Sequence, residues 1–441
     1  MGMGTTRLQG SIAMQPELPR RVKLFWGIAG LGVEALAQSR GAWLVYFYAP
    51  PAGSNHRGWL PLAAVSILLF LGKIIEAFSD TLIGYWSDRT TSRLGRRLPF
   101  VLLAAPPAAL FAMLLFFPPA GSSEKLAAAW LFIGLELFYL CDGLASVPFN
   151  ALLPEIAAGD DERLSLSAWQ VYFGVIGAAV GLIGSGLLIS RFGFGAMVII
   201  MALLALASRY AGVVGVWDRA RRDKPPAPRS LTATLRLTFS NHRFLWFMLS
   251  FVLFSTALSM LIGLLPYFVT SLLDKPSAGT WSSILTAVGI GSMALALPLF
   301  AWLARRTSQE HAYRIAMLAA AIAFPVLCLV GWLPDVSREI QSLVALVIVG
   351  APLAGVYLFP GPIIAEYCDI EALASGLRRE GMFYSTQAFL DQVTEAFAPL
   401  LLGLLLTLGD TPRHLLGVRL VGPVAGLLVL IGYLVLRGPG S

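Results

Sequence analysis

Residues 58–99 read GWLPLAAVSILLFLGKIIEAFSDTLIGYWSDRTTSRLGRRLP. Crossing a bilayer takes about 20 mostly apolar residues, and the front of this stretch is long enough. It is not clean lipid-facing sequence, however. Lys73, Glu76 and Asp80 interrupt it at i, i+3 and i+7, a spacing that puts all three on one helix face. A charge at membrane depth costs about 2.5–3.5 kcal/mol on insertion scales, so such residues face a bundle interior or a water-filled path. The stretch then runs into Arg89, Arg93, Arg96 and Arg97, the basic flank that marks the cytoplasmic side. One segment thus predicts a membrane span, its working face and its orientation.

The rest of the chain agrees. Of 441 residues, 57% are hydrophobic and 13% charged, about half the ~25% charged content of ordinary globular proteins. With a mean hydropathy of +0.74, no water-soluble fold can bury so much apolar surface, and a bilayer must serve as second solvent. This excludes a soluble enzyme, a nucleic-acid binder and a disordered scaffold. The net charge of +7 is accounted for by basic cytoplasmic loops rather than by a nucleic-acid partner. Cys141, Cys328 and Cys368 have no paired spacing, and His56, His242, His311 and His414 fall at helix ends or in loops, so neither a disulfide framework nor a metal cage is expected. The first 23 residues are polar and basic, with no cleavable leader expected.

Twelve spans of bilayer length can be placed at 24–49, 58–86, 99–118, 126–156, 165–190, 194–216, 243–272, 279–303, 311–332, 339–367, 381–407 and 416–436. Basic residues concentrate on one side of this arrangement, which makes both termini cytoplasmic. The Pro-rich, charged segment 218–242 reads as a cytoplasmic linker. It follows a tail, 1–23, and a six-helix bundle, 24–217, and precedes a second bundle with a short tail, 243–441. The loops after the second and eighth spans, SDRTTSRLGRR and ARRTSQEHAYR, echo each other faintly, as internal repeats do in secondary transporters. No phosphate-binding Gly-Lys-Ser/Thr loop is present, so an ion gradient rather than ATP must supply the work, and no cofactor is expected.

Charges inside other spans extend the candidate site. Glu34 lies in a Gly-rich part of the first span, where it can accept hydrogen bonds from a polar substrate or pair with Arg40; Arg40 itself can snorkel outward. The fourth span carries Glu136, placed nearer the interface, and Asp142, before SVPFNALLPE, whose Pro148 and Pro154 bend the helix. In the eleventh, REGMFYSTQAFLDQVTEAF, Gln387, Asp391 and Glu395 share one face with Tyr384 at its edge. Asp391 and Glu395 form either a second titratable pair or a partner for a base on another helix. Lys73 and Glu76 have the plainer alternative of a structural salt bridge. Trp26, Trp43, Tyr46 and Trp169 suit either ligand stacking or packing, and the glycines from Gly174 to Gly186 suit close helix contact.

The run from Asp80 to Pro99, DTLIGYWSDRTTSRLGRRLP, resembles the loop after helix two of the glycoside-pentoside-hexuronide:cation symporters, the melibiose permease group of the major facilitator superfamily. Val147-Pro148-Phe149-Asn150 and Gly376-Leu377-Arg378-Arg379-Glu380-Gly381 are similar to the same group. The resemblance implies an all-α membrane protein of two six-helix bundles with a cation-coupling site at Glu76 and Asp80, Lys73 beside them. It also implies a sugar-binding acid at Glu34. The family's helix-four acid falls at Ser146 here, with Asp142 one turn earlier, and its helix-eleven lysine falls at Gln392.

The expected protein is therefore a cation-coupled symporter of a sugar or glycoside, with an amphiphile such as a lysolipid or drug as the alternative cargo, acting as a monomer in the cell membrane. Its substrate set is Glu34, Asp142, Ser146, Asn150, Tyr384, Gln387, Asp391 and Gln392. Asp88, Arg89, Arg96 and Arg97 are expected to form a cytoplasmic gate. The coupling ion, proton or sodium, is expected at Glu76 and Asp80. The missing lysine and the added acid at Asp391 favour the proton.

Overall fold

The computed structural model describes residues 18–220 and 242–437, except Gly53, Thr91, Ala158, Gly159, Ala365 and 368–379. The described residues are helical apart from loops and one isolated bridge, Thr411 with His414. In chain order the helices are α1 (Arg20–Tyr48), α2 (Leu62–Arg89), α3 (Leu98–Leu114), α4 (Glu124–Asn150), α5 (Leu153–Ile156), α6 (Asp160–Ala179) and α7 (Ser185–Ala220). After residues 221–241 come α8 (His242–Tyr267), α9 (Gly279–Arg306), α10 (Gln309–Ala323), α11 (Arg338–Leu358), α12 (Glu380–Leu406) and α13 (Leu416–Val435). Most of the expected linker, 218–242, lies outside the described residues, while its first residues continue α7.

Several expected boundaries shift, for reasons of backbone chemistry. Pro19 and Pro61 stand extended at the helix caps, so α1 starts at Arg20 rather than 24 and α2 at Leu62 rather than 58. The span expected over 126–156 stops at Asn150, because Pro154 has no N–H for the Asn150 carbonyl; α5 follows as a separate turn. Likewise Pro362 cannot bond the Leu358 carbonyl, and α11 ends there; helix resumes after a bend at Phe359, so the apolar span runs over Arg338–Ile364. The ninth span tightens after Ala323 into a 3-10 turn, Phe324–Leu329.

Eight stretches among the described residues are long and apolar enough to cross a membrane. One of them, Ser165–Ala220, counts 56 residues, about 84 Å of helix against a hydrocarbon core of ~30 Å. It is continuous through a π-turn, Val180–Gly184, and its one non-helical residue is Gly193, with φ 80° and ψ 175°. The contacts with α1 show that the chain reverses there. Before Gly193, Gly177 and Gly181 lie against the carbonyls of Leu31 and Ala35, rising along α1; after it, Gly32 meets the Leu204 carbonyl and Gly212 meets Ala29, descending again. The missing side chains at Gly177 and Gly181 let α6 and the π-turn sit directly on α1.

The segments before and after 221–241 meet along α2 and α12 and at the end where α1 finishes. There the Tyr267 hydroxyl donates to the Ala49 carbonyl at 2.7 Å, and the Ser283 hydroxyl to the Ile183 carbonyl at 2.7 Å. Tyr46 and Tyr267 pack edge to face, and the backbones of Gly186 and Gly279 touch with no room for a Cβ on either. Asn55 N–H reaches the Pro276 carbonyl at 3.3 Å above them.

Candidate functional site

Between the two segments lies a cavity of about 180 Å³, lined by α1, α2, α4, α8 and α12. Its polar wall is Glu34, Gln38, Arg40, Lys73, Tyr139, Ser259 and Glu395; its apolar wall includes Leu44, Val45, Leu69, Ile262 and Leu402. Its charges come from α1, α2 and α12, and have nowhere else to go in a bundle.

The α2 face builds the wall in steps. Gly72 lets α2 approach Leu135, Glu136 and Tyr139 of α4, which places the next residue, Lys73, over the Tyr139 ring at 4.5 Å. The Lys73 ammonium is buried and lies 2.6 Å from Glu76 Oε2 and 2.5 Å from Glu395 Oε2 of α12. It therefore joins two acids on different helices. One turn on, Gln392 of α12 donates to Asp80 Oδ2 at 2.9 Å, and the other oxygen of Asp80 has no hydrogen-bond partner among the described residues. The three charges of α2 do share a face, but they are not one cluster: Glu76 is held by Lys73, and Asp80 is turned to Gln392.

On α1, Glu34 accepts from Gln38 Nε2 at 2.8 Å and lines the cavity. It makes no ion pair with Arg40, six residues on and about 240° around the helix. Arg40 does not snorkel either. Its guanidinium lies over the rings of Phe138 (4.8 Å) and Tyr139 (5.1 Å), and its Nε has no hydrogen-bond partner among the described residues. Cation–π contact with two rings stands in for a carboxylate. Glu136, expected near the interface, is instead half-buried against α2.

The helix-four group sits elsewhere. Asp142 and Ser146 do not line this cavity; Ser146 donates to Asp142 at 3.3 Å and accepts from Arg209 of α7 at 2.6 Å. Asp142 and Arg209 border a second space of about 20 Å³ among α1, α3, α4 and α7, room for a single water. Asn150 accepts from Gln170 at 3.4 Å, away from both. At the basic end, Arg96 and Arg97 both hold Glu155 of α5, within the same segment, and Arg89 stacks on Tyr85 at 3.7 Å. The side chains of Asp88, Tyr384, Gln387 and Asp391 lie outside the described residues. The aromatic candidates are packing residues: Trp26 is buried on Phe149, Trp43 donates to Ser185, Trp169 stacks on Phe173, and Tyr46 packs on Tyr267.

Two participants were not assigned from the sequence. Arg209 is an arginine in the middle of an apolar span, a signal as plain as Lys73. Glu395 was seen, but its choice between a neighbouring acid and a distant base needed the third dimension.

The overall fold is that of solved transporters. It is similar to a nucleoside transporter, NupG, with a TM-score of 0.63 at 14% identity, over 94% of this chain and 98% of that one. It is similar also to a bacterial homologue of the iron transporter ferroportin, with a TM-score of 0.64 at 14% identity, over 96% and 99%. That likeness gives the fold, an all-helical bundle, here built around a charged cavity. A family model described as MFS/sugar transport protein matches residues 25–431, and the chain belongs to that family, among the glycoside-pentoside-hexuronide:cation symporters. A symporter of Synechocystis is 25% identical, over 87% of this chain and 85% of its own. The isoprimeverose transporter of Lactiplantibacillus pentosus is 23% identical over 83% and 76%, and the mouse sodium-dependent lysophosphatidylcholine symporter 1 is 23% identical over 70% and 63%. The matched family is one of transport proteins, and this chain is a transporter, not an enzyme.

Proposed function

We propose that the protein imports a sugar or glycoside together with a proton, by alternating access around the central cavity. The observation that carries this reading is Lys73, whose ammonium already stands 2.6 Å from Glu76 and 2.5 Å from Glu395 at the cavity wall. Sodium would have to share these oxygens with a resident cation, whereas a proton needs only one of them. Glu76, Asp80 and Lys73 are then the coupling residues, and Glu34, with Gln38 beside it, meets the hydroxyls of the cargo. The isoprimeverose transporter supports a sugar as the cargo class.

The membrane arrangement belongs to the same proposal. Counting Ser165–Ala220 as two spans broken at Gly193, and adding α1, α3 and α12, gives twelve in two bundles of six. The basic loops put both termini in the cytoplasm, and the protein acts as a monomer. The end joined by Tyr267 and Ala49 is then the outer one, closed in this state. The expected gate at Asp88, Arg89, Arg96 and Arg97 remains part of the reading; Glu155 is the partner that organises its last two arginines.

An amphiphilic cargo is the second reading. The apolar wall of Leu44, Val45, Leu69 and Leu402 favours it, as does the lysophosphatidylcholine symporter among the relatives.

Purified protein in liposomes separates these. Sugar uptake should follow an imposed pH gradient and fall at least tenfold in Glu76→Gln and Asp80→Asn. Glu34→Gln should weaken sugar binding by about 1.5–3 kcal/mol, the value of a hydrogen bond to a charged group. Uptake driven by sodium at symmetrical pH would overturn the ion, and selective uptake of lysolipids would overturn the cargo.

A further inference from the structure

Glu395 has a position that neither substrate binding nor the α2 pair accounts for. It lies on α12, its side chain is 54% exposed, and it lines the central cavity. Its one ion-pair partner among the described residues, Lys73, belongs to α2, so the bridge joins the two segments of the chain. Glu76, the other acid on the same ammonium, is 13% exposed and does not line the cavity.

The charges facing Glu395 can be counted element by element among the described residues. From α2 come Lys73 and Glu76; from α1 come Arg40 and Glu34, both close enough to interact with it electrostatically; from α4 comes Tyr139, a neutral phenol. α8 brings only the hydroxyl of Ser259 to the cavity. On α13, Arg419 is turned away to the carbonyls of Cys328 and Val330. Three carboxylates thus share two fixed cations. In a low-dielectric site one acid is in surplus, and a proton is the cheapest compensation. By side-chain exposure Glu395 is the more open of the two acids on Lys73.

We propose that Glu395 is the carboxylate that takes up and releases the transported proton, and that its bridge to Lys73 holds the outer side closed while it is ionised. This rests on the proton-coupled reading above and adds the residue that reports the proton to the fold. On the outward-open side, a proton passes from cavity water to a carboxylate oxygen of Glu395, which becomes neutral. Lys73 keeps its charge and stays with Glu76, and α12 loses its ionic hold on α2. On closure, Lys73 meets Glu395 again and the proton returns to water. The bridge lies one turn from the Phe70–Phe397 ring contact at 5.3 Å, and beyond that Gly403 packs on Ser66, so its release frees the outer ends of α2 and α12.

The test needs no substrate. Asn55 and Pro276 are exposed and joined across the closed end. Spin labels at Asn55→Cys and Pro276→Cys, with Cys141, Cys328 and Cys368 replaced by Ser, report opening by their distance in liposomes between pH 5.5 and 8.5. In the otherwise unaltered protein the long-distance population should grow as pH falls, by at most about tenfold per pH unit for one proton. In Glu395→Gln the long distance should dominate at every pH, and Glu395→Asp should restore the response, which a space-filling role would not require. A flat profile in the parent overturns the proposal, as does a Glu395→Gln profile that follows the parent. The parent profile decides even if Glu395→Gln is not recovered. Failure of sugar uptake in the liposome assay, with this response intact, would refute the cargo and leave Glu395 standing.

Discussion

His56 sits in the loop after α1 with its ring 4.8 Å from those of Phe47 and Phe194, and its Nε2–H donates to the Phe47 carbonyl at 3.0 Å. Burial holds its pKa below the ordinary histidine value, opposed only in part by that carbonyl. The unfolded chain therefore takes a proton first. Stability tied to the neutral ring is complete above about pH 6.5 and is lost as the pH falls through the lower, folded value. The thermal midpoint of the parent should drop between pH 7.5 and 5.5, and His56→Gln should show a shallower drop; parallel curves would show that the ring does not titrate on unfolding. Single residues of this kind were only partly legible. Lys73, Glu76 and Asp80 announced themselves as charges in an apolar run, and so did Glu34. Their partners did not, because Gln392 and Glu395 are more than 300 positions away and sequence spacing orders only neighbours on one helix. Asp142 reads as a pocket acid from its charge, the prolines after it and the resemblance at helix four, but in the fold it accepts from Ser146, which in turn is held by Arg209.

Elements were legible wherever apolarity and hydrogen bonding end at the same residue. They diverge at prolines such as Pro154 and Pro362, which stop the backbone ladder while the apolar run continues, and at the basic start of α1, where helix continues into polar sequence. The reversal at Gly193 was legible as a gap between two runs, though its geometry was not: φ of 80° is open to glycine at little cost. Gly193→Ala should therefore destabilise the protein by about 1–3 kcal/mol, even though no atom stands within 4 Å of a Cβ there. Gly174→Ala makes the control. That glycine is helical with open space around it, and the change should stabilise by about 0.5–1 kcal/mol. Thermal unfolding in detergent reads both; equal shifts would mean that backbone conformation is not what distinguishes them.

At the scale of the whole molecule, an alternating transporter must close the same way many times. Gly186 and Gly279 meet backbone to backbone at the closed end, and a Cβ on Gly186 would run into Ser283 and the Gly279 carbonyl. Gly186→Ala should hold that end ajar and leave stability within each segment largely intact. A membrane-impermeant thiol reagent added outside should then label Ser259→Cys in the cavity several-fold faster; an unchanged rate would show that the contact does not set closure. The bundle and its general task were read from composition, span length and one loop, but this contact was not, since it depends on two short backbone stretches about 90 residues apart. Because the touching atoms are peptide groups, the fit is indifferent to what the cavity carries. The molecule is divided like a padlock: the keyway, cut by Glu34, Arg40 and their neighbours, can be recut for another cargo without refitting the hasp.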